Sequence, residues 1–252
     1  MPNQQVVATT LASRARTMMA TASSVELLAG DWHRPVARHA IDLDGSILLP
    51  GSDLVGGPPC GAADGTPAPV LTLTATDVSS VPQPDRVRGS VILRGPVHRV
   101  TVPLPEGVRE YLTDLTPAVG DGPRDVVRLY PTVVSVQWRC EGSGSWRELA
   151  MEDYTCAELD PLAGWEAEWI GHLAGEHDEV LTRLVRQHAP GRDVGRGELR
   201  PLLADRLGLV VRHYGRLGDV QDVRVPFAGP ARCGCEAVDS LNQLVAALPT
   251  VP

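Results

Sequence analysis

The sequence of 252 residues contains no lysine, so arginine supplies all 23 of its fixed positive charges, against 31 acidic residues. The net charge of −8 argues against the basic surface that non-specific nucleic-acid binding requires, and no nucleic-acid partner is expected. Aromatic residues are also scarce, at 4% with a single phenylalanine, so the core must consist mainly of valine, leucine and alanine. The length suits one large domain or two modest ones.

Signals for membranes and export are also missing. No apolar run approaches the roughly 20 residues that a membrane-spanning helix needs. The N-terminus lacks a basic start followed by an apolar core, so no signal peptide is predicted. The five cysteines are odd in number and irregularly spaced, which is atypical of a disulfide framework. These absences predict a reduced, cytoplasmic protein without a membrane partner.

The common catalytic motifs are absent as well. The sequence has no G-x-S-x-G elbow, no phosphate-binding P-loop, no G-x-G-x-x-G after a strand and no convincing Ser/His/Asp set. It therefore offers no catalytic nucleophile, and enzymatic activity is left open.

The first 150 residues contain mostly short strand patterns. A helix is predicted at 8–22, a short helix at 106–115, and a hairpin at the turn Asp44-Gly45 between strands 36–43 and 46–50. Further strands are predicted at 24–28, from Val70 onwards, at 87–93 paired with 97–102, and at 126–139 with a possible break at Pro131. Because no long helices separate these strands, the order predicts an antiparallel barrel within an α+β fold.

One long helix is predicted over residues 160–192, with Asp160 as its N-cap and Pro190-Gly191 as its end. His177 falls within its apolar stripe and His172 lies off the edge of that stripe. Five residues apart on one helix, the two imidazoles would point roughly 140° away from each other. A single helix therefore predicts that they cannot bind one metal ion together.

A hairpin of strands 207–214 and 220–227 and a closing helix at 235–248 follow this helix. The C-terminal part is thus predicted to be a small unit of helix, hairpin and helix. The predicted boundary gives a barrel domain at 1–156 and a C-terminal domain at 157–252.

The C-terminal part resembles a domain of unknown function that accompanies split-barrel proteins of the HugZ haem-utilisation type. The resemblance rests on His172, the cluster Glu176-His177-Asp178, the run 205–209 and the second hairpin strand from Asp222 to Phe227. The order of elements in the first part resembles the FMN-binding-like split barrel of the pyridoxamine-phosphate-oxidase superfamily. The resemblance implies a homodimer formed through the barrel, with ligands at the interface.

Three functions follow from the resemblance. The first is a haem-binding protein of haem or tetrapyrrole metabolism, acting as a carrier, sensor or weak haem oxygenase. The second is a non-catalytic regulator that binds a tetrapyrrole-synthesis enzyme such as glutamyl-tRNA reductase. The third is an FMN-dependent oxidoreductase, although the flavin-phosphate motif is absent and residues 51–69 hold proline and glycine instead. The C-terminal tail also lacks the ligand histidine of haem-degrading HugZ proteins.

Four residues are the candidate haem contacts. His177 is the candidate ligand of the haem iron and His172 is the second candidate, because imidazole is a common iron ligand and an apolar helix face excludes water. Arg38 and Arg86 are candidates for holding the propionates, since guanidinium groups bind carboxylates in a bidentate manner. The alternative interpretation of each histidine is a half-buried side chain that forms a hydrogen bond with a neighbouring carbonyl. The alternative interpretation of each arginine is a solvated surface residue.

Overall fold

The protein is described by a computed structural model that covers residues 10–58, 68–113, 125–140, 144–189, 197–216 and 218–248. The helices are α1 Leu11–Thr21, α2 Glu106–Thr113, α3 Met151–Cys156, α4 Glu166–Glu176, α5 Asp178–His188 and α6 Gly234–Ala246. The strands are β1 Val25–Ala29, β2 Trp32–Val36, β3 Ala40–Ile41, β4 Ile47–Pro50, β5 Val70–Val78, β6 Val87–Arg99, β7 Val126–Leu129, β8 Val133–Trp138, β9 Trp146–Leu149, β10 Glu198–Asp205, β11 Gly208–Tyr214 and β12 Val220–Pro226. A 3-10 helix follows β4 at Gly51–Leu54. Helices and antiparallel strands occur in both parts of the chain, which confirms the predicted α+β class.

The first nine strands form one antiparallel sheet, in which β6 is the central strand. One edge of β6 pairs with β5, and its other edge pairs first with β8 and then with β7. The partner changes at Gly95, where a β-carbon would overlap the carbonyl oxygen of Tyr130. Only glycine permits this close approach. The prediction of two paired strands at 87–93 and 97–102 is therefore wrong, since β6 runs without a turn from Val87 to Arg99.

Several other predictions for the first part are confirmed, but the strand predicted at 36–43 is wrong, since β2 ends at Val36 and β3 covers only Ala40–Ile41. The hairpin at Asp44-Gly45 joins β3 to β4, with Gly45 at a φ of 82°. Pro131 separates β7 from β8, and α2 ends at Thr113. Residues 59–67 of the glycine- and proline-rich segment lie outside the described residues.

Aliphatic side chains fill the core between α1 and the sheet, as the composition predicts. Met19 of α1 packs with residues that alternate along the strands, such as Leu71, Leu73 and Ala75 of β5. Tyr154 of α3 is the one aromatic residue among the fully buried members of this cluster that the structure describes. Its hydroxyl donates to the carbonyl oxygen of Gly45 at 3.2 Å.

The C-terminal unit contains a three-stranded antiparallel sheet in the order β10-β11-β12. The predicted hairpin of β11 and β12 is confirmed, while β10 occupies a segment for which no strand was predicted. Pro201 lies inside β10 beside an irregularity of register, and it masks the strand in the sequence because proline interrupts a ladder. Residues 206–207 form the turn between β10 and β11. The division at 156 and 157 stays a prediction.

Buried ion pairs join the C-terminal unit to the large sheet. Asp205, at the end of β10, is 1% exposed and accepts hydrogen bonds from Arg14 of α1 at 2.6 Å and from Arg224 of β12 at 2.8 and 2.9 Å. Arg88 of β6 pairs with Asp77 at 2.6 Å and also with Glu166, the first residue of α4. Glu166 additionally accepts from the backbone amide of Ala204 at 3.0 Å. These contacts fix the start of α4 against the barrel and so position the helix that carries His172.

Among the described residues, no helix combines the length and the hydropathy needed to cross a membrane.

Candidate functional site

The segment predicted as one helix is divided at His177. Residues 161–165 form turns, α4 covers Glu166–Glu176 and α5 covers Asp178–His188. His177 has a φ of −130° and a ψ of 33°, outside the helical range, although its amide still donates to Leu173 and its carbonyl still accepts from Leu181. The prediction of a continuous helix is therefore wrong. Its predicted end at Pro190-Gly191 lies outside the described residues.

Asp160 serves the turns that precede α4 rather than capping the helix itself. One of its carboxylate oxygens accepts from the amide of Leu162 at 2.9 Å, and the other accepts from the amide of Arg206 at 3.0 Å. Burial raises the pKa of the Asp160 carboxyl above its usual range, although these amides act against the shift. The residue thereby connects the approach to α4 with the turn between β10 and β11.

The bend brings the two candidate histidines together. The Nε2 atoms of His172 and His177 lie 3.1 Å apart, and the ring centroids are 4.8 Å apart with an angle of 77° between the planes. A carboxylate oxygen of Glu176 lies 3.8 Å from Nδ1 of His172. The prediction that the two imidazoles point away from each other is wrong, because it assumed an uninterrupted helix.

His172 also lies at the edge of an apolar cleft between α4 and α6. The cleft has a volume of about 210 Å³. Apolar side chains form most of its wall, together with two glutamates and the start of α6: Leu162, Trp165, Glu166, Glu168, Trp169, His172, Gly234, Ala237 and Val238. Trp165 is 63% exposed, so one wall of the cleft is open to solvent. An exposed apolar surface of this kind beside a histidine suits a flat, largely apolar ligand.

The apolar stripe itself was predicted well. Ile170, Leu173, Leu181 and Leu184 are buried against the three-stranded sheet. His177 lies at the bend and is only partly buried. The stripe continues across the bend because each of the two helices keeps an apolar face toward the sheet.

The two candidate arginines lie elsewhere. Arg38 donates to the carbonyl oxygen of Tyr111 in α2 at 3.1 Å. Arg86 is exposed just before β6, and its carbonyl accepts from the amide of Ser79. Within the described part of the chain, neither arginine forms a hydrogen bond or an ion pair with His172 or His177.

On a continuous helix Glu176 projects to a different side from His177, so the sequence did not identify it as a partner of both histidines. The signal that could have found it is the run Gly175-Glu176-His177-Asp178. Glycine weakens a helix, and an acidic pair at 178 and 179 favours the start of a new one. The cleft walls at Trp165 and Val238 come from two helices distant in sequence, so periodicity within one helix could not reveal them.

Neither a protein-family model nor a curated protein matches this chain. A solved structure described as a heme-binding protein from Mycobacterium smegmatis matches with a TM-score of 0.59 and 23% identity, over 96% of this chain and 98% of that one. This likeness shows the fold. The chain is an α+β protein with an antiparallel split barrel followed by a smaller unit, as predicted, and the likeness spans both parts.

Two further structures match with lower TM-scores. A protein of unknown function from Agrobacterium tumefaciens str. C58 has 15% identity and a TM-score of 0.36, over 96% of this chain and 97% of that one. An FAD-binding protein from Mycobacterium smegmatis has 16% identity and a TM-score of 0.32, over 50% of this chain and 94% of that one. These scores are too low to bear on the fold or the ligand of this chain.

Proposed function

We propose that this chain binds haem at the cleft between α4 and α6, with the imidazole of His172 as the ligand of the iron. The observation that carries the proposal is an apolar cleft, walled by Trp165 and Trp169, with this imidazole at its edge. Haem needs such a combination, because its macrocycle is apolar and flat while its iron takes a nitrogen ligand. His177 lies beside His172 and is the second imidazole within reach.

The start of α6 provides a polar end to the cleft. Gly234 is the first residue of α6 and lines the cleft, and a β-carbon there would lie 3.2 Å from the ring of Trp165. The free amide groups of a first helical turn favour carboxylates, which suits the propionates of haem. The predicted roles of Arg38 and Arg86 as propionate partners stay predictions that their positions do not support.

The openness of the cleft favours a carrier among the haem-linked roles. Closed pockets for ligands of drug size have volumes of about 300–1,000 Å³, so a cleft of about 210 Å³ covers only part of a macrocycle. Haem held there keeps an edge in solvent and exchanges readily, as a carrier requires. When bound, haem supplies an iron that can take a further small ligand; the proposal concerns binding alone.

The comparison with the heme-binding protein from Mycobacterium smegmatis supports the proposal, because its fold extends over nearly the whole of both chains. At 23% identity the ligand of that protein cannot be transferred to this chain, so haem binding is here a hypothesis. The HugZ-type resemblance, the homodimer and the place in tetrapyrrole metabolism are parts of the same hypothesis. Light scattering coupled to size-exclusion chromatography would test the homodimer.

Titration of the purified protein with haemin tests the binding. We expect a Soret band that saturates at one haem per chain, is lost or shifted in His172→Ala, and persists in His33→Ala. His33 is a matched control, because its side chain is 52% exposed, as is that of His172, and it lies in β2. An identical Soret band in wild type and in the His172→Ala/His177→Ala double variant would contradict the assignment of the ligand.

The same preparation separates the alternatives. Transfer of bound haem to excess apomyoglobin within the mixing time supports a carrier, and retention over hours contradicts one. Saturable quenching of FMN fluorescence, without any haemin binding, would favour the flavin function and overturn the haem proposal.

A further inference from the structure

We infer that His172, Glu176 and His177 form a binding site for one divalent transition-metal ion of the zinc class. These three residues offer ligand atoms that all lie within 4.8 Å of one another. The inference does not rest on the proposed haem function, because it concerns the protein without haem. It rests on the geometry of the bend between α4 and α5.

The separation of the two imidazoles matches a pair of ligands on one ion. Zinc binds histidine nitrogen at about 2.0–2.1 Å in a tetrahedral arrangement, so two such nitrogens on one zinc lie roughly 3.3–3.4 Å apart, within a few tenths of an ångström of the separation found here. The Nε2 atoms of His172 and His177 are 3.1 Å apart. When no ion is bound, a proton can bridge the same atoms, because a neutral imidazole can donate from one nitrogen and accept at the other.

Glu176 supplies the third ligand. It follows His172 by one helical turn, which places the two side chains on the same face of α4. Its nearest contact with Nδ1 of His172 is 3.8 Å, longer than a hydrogen bond, and its side chain is 69% exposed. The carboxylate is therefore free to turn toward the two Nε2 atoms. Two histidines and one carboxylate are a ligand set that zinc takes, with water in the fourth position.

The bend has no other evident use for the His177 side chain. His177 is both the last position of α4 and the position before α5, yet its side chain makes no capping hydrogen bond to α5. Its ring faces His172 instead. A continuous helix would hold the two rings roughly 140° apart, so the interruption is what creates the cluster. Asp178 and Glu179 follow directly and add negative charge that favours a cation.

Calorimetric titration of the metal-free full chain with Zn²⁺, in the absence of haemin, tests the site. We expect one ion per chain, and a weakening of at least about tenfold in each of His172→Ala and His177→Ala, with a smaller weakening in Glu176→Gln. His33→Ala is the control, because His33 lies 3.5 Å from Glu26 and so forms a histidine–carboxylate pair without a second imidazole. Co²⁺ in place of Zn²⁺ should give visible absorption bands in wild type that both histidine variants lose.

The outcomes separate this inference from the haem proposal. Equal Zn²⁺ affinity in wild type and in the His172→Ala/His177→Ala double variant, with the fold retained by circular dichroism, would overturn the metal site. Equal weakening by His33→Ala would also overturn it, because the binding would then be that of surface histidines in general. Zn²⁺ binding without a Soret band on addition of haemin leaves the metal site standing and refutes only the haem proposal. A Soret band without Zn²⁺ binding overturns the metal site and leaves the haem proposal standing.

Discussion

Two polar clusters in the C-terminal unit use similar residue types in different ways. At the junction with the barrel, Asp205 is 1% exposed and both of its carboxylate oxygens are bound by arginine. At the bend between α4 and α5, the side chains of His172 and Glu176 are 52% and 69% exposed, and the two do not form a hydrogen bond with each other. The first cluster is complete within the protein, whereas the second has room for an ion.

Burial explains this difference. A buried charge without a partner is strongly unfavourable, so a buried cluster persists only when its members satisfy one another. The cavity that remains among Arg14, Arg88, Glu166 and Asp205 has a volume of about 20 Å³, room for about one water molecule. An exposed cluster can keep polar atoms without a partner in the protein, because water forms hydrogen bonds with them. The atoms of the junction are therefore occupied by one another, whereas those of the bend are available for binding.

The largest expected effect comes from removing the central carboxylate of the junction. Asp205→Ala leaves Arg14 and Arg224 charged and without that partner in a buried site, and we expect the free energy of unfolding to fall by about 3–5 kcal/mol. Urea unfolding followed by circular dichroism measures the loss. Glu158→Ala is the control, since Glu158 is 84% exposed and 3.7 Å from Arg206. Equal stability of Asp205→Ala and Glu158→Ala would mean that the junction contributes no more than a surface pair.

An intermediate effect is expected on the pH dependence of stability. Burial alone would raise the pKa of Asp205, but hydrogen bonds from Arg224 and the charge of Arg14 outweigh burial and lower it. Burial raises the pKa of Glu166 in spite of the charge of Arg88. A lowered pKa gives stability that is present above the ordinary value of about 3.9 and is lost as the pH falls through the folded value. A raised pKa has the opposite effect, because the folded state then holds its proton more tightly.

We therefore expect Asp205→Asn to flatten, and Glu166→Gln to steepen, the loss of unfolding free energy between about pH 6 and about pH 3. Urea titrations at a series of pH values give the slope of unfolding free energy against pH for wild type and for each of the two variants. Parallel slopes in wild type and both variants would show that these carboxyls do not titrate differently in the folded and unfolded states.

The same contrast explains what the sequence could predict. The apolar stripe of the predicted helix does lie on the buried face, at Ile170, Leu173, Leu181 and Leu184, because such a stripe marks the side toward the core even when one residue interrupts the helix. Hydrophobic periodicity could not reveal the interruption itself, because a change of conformation at one residue barely alters a pattern averaged over about thirty residues. That change nevertheless rotates His177 toward His172 and creates the candidate site. The geometry of the candidate site therefore depends on the backbone conformation of one residue, His177.

Long-range partners were beyond sequence analysis for a different reason. Arg88 and Glu166 are 78 positions apart, and nothing in either local segment identifies the other as its partner. Arg14 is likewise buried against Asp205, 191 positions away, and its guanidinium lies 4.3 Å from the ring of Trp138. Gly95 suggested a turn, because glycine before proline usually marks one, whereas here it allows β6 to pass close to Tyr130.

The smallest effect on folding is expected at the bend, where binding should change most. His172→Ala and His177→Ala should each alter the unfolding free energy of the metal-free protein by no more than about 0.5 kcal/mol, because neither imidazole caps a helix or pairs a buried charge. Zn²⁺ at about one hundred times its dissociation constant should stabilise wild type by about 2.7 kcal/mol. Both variants should lose this increment and His33→Ala should keep it, as urea unfolding with and without Zn²⁺ would show. A loss of more than about 2 kcal/mol in metal-free His177→Ala would place that imidazole with Asp205 as a determinant of folding.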